Sequence, residues 1–146
     1  MRSKALLLLI FSFIYSQQGS YNYWNSLATH VTVEVPLADD NSLVGGRIQV
    51  KVSIDDGKNY IDLGEQFFID EDDIDEKKEL SISAQIFESI SGFEEGVKAQ
   101  FIAKLWDKAG NSIIGSVSDS ILFIDQTPPE LVDLEIKSSN ELDKNK

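Results

Sequence analysis

Apolar residues recur at every second position over much of this chain, and no other feature restricts its fold so strongly. In "SLVGGRIQVKVSID", Ile48, Val50, Val52 and Ile54 share one face of an extended segment, while Gln49, Lys51 and Ser53 share the other. "VKAQFIAKLW" sets Val97, Ala99, Phe101, Ala103 and Leu105 against Lys98, Gln100 and Lys104. A period of two belongs to a strand with one buried face. A shorter set, Val31, Val33 and Val35, begins after His30 and stops at Pro36. "LSISAQIFES" carries Leu80, Ala84 and Phe87 at helical spacing, but the alternation of Leu80, Ile82, Ala84 and Ile86 is longer and predicts a strand.

Turn residues separate these runs. "DDGKN", Asp55 to Asn59, offers Gly57 for positive φ and leads into "YIDLGEQFFI", which reads as the hairpin partner of the preceding strand. The acidic run Asp70–Glu79 has no period and is expected as an exposed loop. "DKAGNS" closes another turn, and "SVSDSILFID", the most apolar run, is expected as a closing strand covered on both sides. The prediction is an all-β chain: an antiparallel β-sandwich of about seven strands over residues 30–127. The sequence has no cysteine, so the core alone must hold it. About 130 residues suffice for one such core.

The ends read differently. "MRSKALLLLIFSFIYSQQGS" places Arg2 and Lys4 before an apolar run, Ala5 to Tyr15, and a short polar stretch. That layout predicts a secretory signal peptide over residues 1–16, and the run falls short of the roughly 20 residues that span a bilayer. No integral membrane segment is expected once it is removed. Residues 17–29 read as a linker, in which Tyr21, Tyr23 and Trp24 form a short strand, a patch packed on the domain, or a carbohydrate platform. Residues 128–146 open with Pro128-Pro129 and begin a new alternation, Val132, Leu134, Ile136. Two readings stand: the first strand of a following, truncated domain, or a last strand of the same one.

Loss of residues 1–16 would remove two of the 13 basic residues and none of the 25 acidic ones, for a net charge of −14. Nucleic acid is an unsuitable partner for such a chain, because phosphate binding needs clustered cations and Lys77-Lys78 sits among acids. One histidine, His30, and no G-x-S-x-G elbow leave nucleophilic hydrolysis without a base, and zinc without its usual ligands. No catalytic residue is assigned.

Calcium is the one cofactor the acids suggest. Asp70, Asp72, Asp73 and Asp75 supply carboxylates at close spacing, although an EF-hand would need Gly at Asp75 and Glu at Ser81. Asp125 lies where an ion between successive domains would sit, with Asp133 beyond it. Asp107 and Asn111 allow an ion too, but a turn explains them without one: the Asp accepts backbone N–H groups and Gly110 supplies positive φ. Trp24 and Trp106 are the candidate sugar-stacking residues.

"GFEEGVKAQFIAKLWDKAGNSIIGSVSDSILFIDQTPPE" resembles the last strands of bacterial immunoglobulin-like and fibronectin type III-like domains, with D-x-A-G-N between strands and I-D-x-T-x-P before the next module. "VSIDDGKNYIDLG" is similar to their early hairpin. The resemblance implies a secreted or cell-surface, non-catalytic module, a spacer or adhesion domain, whose partners are neighbouring domains of the same polypeptide and, in adhesion, surface proteins or glycans. The alternative is a calcium-dependent adhesin or carbohydrate-binding module.

Overall fold

A computed structural model describes residues 20–134. The proposed signal peptide therefore lies outside the described residues, as does the tail beyond residue 134. Nine strands form two sheets: β1 (Ser20–Trp24), β2 (His30–Pro36), β3 (Arg47–Ser53), β4 (Ile61–Asp62), β5 (Phe67–Phe68), β6 (Lys77–Ser83), β7 (Lys98–Trp106), β8 (Ser112–Ile114) and β9 (Ser120–Ile124). One short helix, α1 (Ala84–Glu88), follows β6. The larger sheet runs β1-β9-β7-β3-β4, with β5 also on β3 and β8 also on β7; the smaller is β2 paired with β6.

The alternation predicted for β3 and β7 decides which faces meet. Ile48, Val50, Val52, Ala99 and Phe101 from the large sheet join Val31, Val35, Leu80 and Ile82 from the small one in a single buried cluster. The chain is thus all-β, with two sheets around one core. Every strand pair is antiparallel except β1 with β9, which is parallel from Ser20↔Ser120 to Trp24↔Ile124. Ser20–Trp24, five residues of the segment expected as linker, therefore form an edge strand, anchored by Trp24 in the core.

Three other expectations are revised. "YIDLGEQFFI" is not one strand: the register with β3 shifts by two residues between Ile61↔Val52 and Phe67↔Ile48. The extra residues bulge at Gly64 (φ 69), and the buried Gln49 amide bonds to Leu63 O and Gly64 O, filling the gap in the ladder. The acidic loop is shorter than its composition suggests, because Lys77, Lys78 and Glu79 already pair with Pro36, Val35 and Glu34.

The third revision concerns Ala84 onward. The strand stops at Ser83, whose hydroxyl accepts the Ile86 N–H and caps α1. The turn of helix carries Phe87 into the core, where its ring meets Trp24 at 4.9 Å, Phe93 at 5.3 Å and Phe101 at 5.9 Å. A continued strand would have buried Ile86 instead, and Ile86 is 39% exposed. Packing of one large ring outweighed the local alternation.

The closing strand is shorter than expected, Ser120–Ile124, and another short strand, β8, precedes it. β8 pairs with β7 up to Ile114↔Lys104, and Gly115 N–H still reaches Ala103 O. Pairing resumes with Leu122↔Ala99, three residues out of step. Beyond β9, residues 125–134 form no strand, and Leu131, Val132 and Leu134 stand exposed.

Candidate functional site

The acidic residues proposed for calcium are not gathered. Asp70 precedes a 3-10 turn, Glu71–Asp73, and donates its N–H to Asp73 Oδ2 at 2.8 Å. The same oxygen receives Lys78 Nζ. Burial works against ionisation of Asp73, but Lys78 and the Asp70 N–H outweigh it and hold the carboxyl below its ordinary range. Asp72 is exposed, and Asp75 turns the chain at φ 62. Among the described residues no three His, Asp or Glu side chains converge as a metal would require.

Asp107 and Asn111 form a clip rather than a cation site. Asp107 Oδ1 accepts the Asn111 N–H at 2.8 Å and Oδ2 accepts the Asn111 amide at 2.8 Å. Gly110 turns at φ 94. The Asn111 amide, followed by turn N–H groups, lowers the Asp107 pKa by stabilising the carboxylate. The early hairpin repeats this device: Asp55 accepts the Asn59 N–H at 2.9 Å and its amide at 2.7 Å, and with help from Ser53 its pKa falls to about 2. D-x-x-x-N thus closes two turns in the same way, a likeness visible in the sequence.

Asp125 donates its N–H to Trp24 O at 2.8 Å, and its side chain is exposed at the end of β9. Its neighbours Glu95 and Glu88 are engaged with Gln126, through the backbone N–H and the side-chain amide respectively. The Gln126 N–H is the main cause of a lowered Glu95 pKa. Asp133, also exposed, lies in the irregular tail. His30 is exposed and its ring nitrogen bonds Thr29 Oγ1.

The two tryptophans part company. Trp24 is 2% exposed and its indole N–H donates to Glu88 Oε1 at 3.0 Å, so it cannot serve as a sugar platform. Trp106 lies on the outer face of the large sheet, where Arg47 and Lys104 sit over its ring at 4.9 and 4.7 Å from the centroid. Its π-surface already holds the protein's own cations.

The two sheets diverge on one side of the core and leave a groove of about 290 Å³. Val33, Ala103, Leu105 and Ile113 line it, and a second hollow of about 180 Å³ continues it past Thr32 and Leu122. An open strand edge borders it on each side, β2 of the small sheet and β8 of the large one. Ala84 N–H to Thr29 O and Leu37 N–H to Glu76 O mark odd-numbered residues as those that β2 pairs with β6. Antiparallel pairing alternates, so the backbone groups of Thr32 and Glu34 face the side on which, among the described residues, no strand pairs with β2. On β8 the same argument, from Asp107 with Asn111 and Gly115 with Ala103, points Ser112 and Ile114 outward. Sequence reasoning had no access to this groove; its only trace was the apolar pair Ile113-Ile114 beside a turn, which no alternation accounts for.

No family model matches the chain, and no curated protein matches it.

Proposed function

We propose that this chain is a non-catalytic immunoglobulin-like module of an exported bacterial protein, acting as a spacer or adhesion domain beside further modules of the same polypeptide. The observation that carries the reading is the distribution of strands: β2 and β6 on one side of the core, β3, β7 and β9 on the other, with β1 running parallel along β9. A sandwich with that connectivity and a D-K-A-G-N turn after β7 agrees with the sequence resemblance. Signal-like residues 1–16 support export, and Pro128-Pro129 after β9 supports a junction. Mechanically, such a module holds a fixed length, and the prolines restrict the angle at which the next unit leaves.

N-terminal sequencing of the protein recovered from its native cells tests the reading. A new terminus near residue 17, in the medium or on the surface, is expected. An intact Met1 in the cytosol would overturn export and the adhesive role with it.

The carbohydrate-binding alternative draws its support from the cationic face around Trp106. The calcium version lacks comparable support: Asp73 is bound to Lys78 and the Asp70 N–H, and among the described residues no three acids converge.

A further inference from the structure

The chain carries a net charge of −12, yet on one surface of the large sheet two cations, Arg47 and Lys104, sit over one ring and form no ion pair among the described residues. Phe68, Arg47 and Trp106 stand in one cross-strand row, set by the registers Phe68↔Arg47 and Arg47↔Trp106. Lys104 and Ile114 occupy the next row on the same face, through Lys104↔Ile114. Rows of this kind place neighbouring side chains about 5 Å apart. Among the described residues the only ion pairs are Lys51–Asp62, Lys77–Glu34 and Lys78–Asp73, so Arg47 and Lys104 keep their charge unmatched. Phe68 is 71% exposed and Ile114 57%.

We propose that this face binds an acidic polysaccharide, with Arg47 and Lys104 receiving its carboxylates and Phe68 offering a ring face to the sugar. Charge complementarity identifies the partner as an anion. A polysaccharide is favoured over an acidic peptide because strand addition would place a peptide along an edge such as β8, whereas Arg47, Lys104 and Phe68 lie on a sheet face that offers side-chain donors and a ring. Carboxylates of a sugar chain need only side-chain donors, and the guanidinium suits them in bidentate fashion. Trp106 keeps the two cations in place by holding them against its ring, which reduces the side-chain ordering needed on binding. The overall negative charge does not veto an anionic ligand. At about 0.15 M salt the Debye length is roughly 8 Å, so distant acids are screened while adjacent cations still act.

This inference rests on the adhesive half of the function proposed above and names its ligand. Affinity electrophoresis of the full chain through gels containing polygalacturonate, with dextran as the neutral control, tests it at physiological salt. Retardation by polygalacturonate alone is expected, with loss of roughly tenfold in affinity for the Arg47→Gln/Lys104→Gln pair, since each removes one charge-assisted contact. Phe68→Ala, at an exposed ring, weakens retention without changing the melting temperature. Unretarded wild-type protein, a double variant retained like wild type, or equal competition by poly-glutamate would each overturn the proposal. Such failure leaves export intact, because N-terminal sequencing reads that separately.

Discussion

Replacing Phe87 by alanine tests whether packing or alternation governs the segment after β6. The ring is fully buried and touches Trp24, Phe93 and Phe101. Its loss removes about 1.5–3 kcal/mol of transfer free energy, and the cavity left among rigid aromatic neighbours raises the total to about 3–5 kcal/mol. A domain of this size has roughly 5–15 kcal/mol in all, so the variant should stay folded but melt at least 10 °C lower. Ile86→Ala is the internal control: at 39% exposure it should cost no more than about 1 kcal/mol. Urea unfolding of both variants, followed by tryptophan fluorescence, gives the comparison directly. Were Ile86→Ala to cost more than Phe87→Ala, the segment would be a continued strand and the helical account would be wrong.

Gly46→Ala should prevent folding or cost several kcal/mol, because an added Cβ would lie 2.1 Å from Trp106 O and 2.8 Å from Leu43 O; Gly110→Ala meets nothing within 4 Å and should cost only about 1–2 kcal/mol for its φ of 94. Thermal melts of the two rank them. Asn59→Ala should raise the Asp55 pKa from about 2 toward the ordinary carboxylate value, read by NMR titration. Because the folded pKa is depressed, this clip stabilises the protein above pH 4 or so and loses its effect as pH falls toward about 2. An unchanged titration in Asn59→Ala would refute the clip. Ala103→Val, which adds methyl groups into the groove, should leave stability within about 1 kcal/mol of wild type, whereas in a filled core overpacking costs roughly 1–3 kcal/mol. Millimolar calcium should move the melting temperature by no more than about 1 °C, since no carboxylate cluster awaits it among the described residues; a rise of several degrees would restore the calcium reading.

Period-two patterning located β2, β3 and β7 because their alternate residues face the core or the groove that opens beside it. Turn chemistry located the two D-x-x-x-N clips, whose hydrogen bonds span only four residues. Where contacts from distant segments compete, local pattern misled. Trp24 looked like part of a linker because its partners, Ile124 across the strand pair and Phe87 across the core, are far away in sequence. Ile86 kept the alternation of β6, yet Phe87 took the buried place.

From the sequence alone came the all-β class, the faces of the long strands, the turn carboxylates and the signal-like N-terminus. These depend on neighbours a few residues apart, where side-chain direction follows from backbone period. Tertiary structure decided that β1 closes an edge in parallel and that the sheets part at Val33 and Leu105. It also decided that Arg47, Lys104 and Phe68 share one face of an acidic protein. The alternation fixes which face a residue takes, but it does not say which distant strand will lie beside it, and that pairing sets which residues meet.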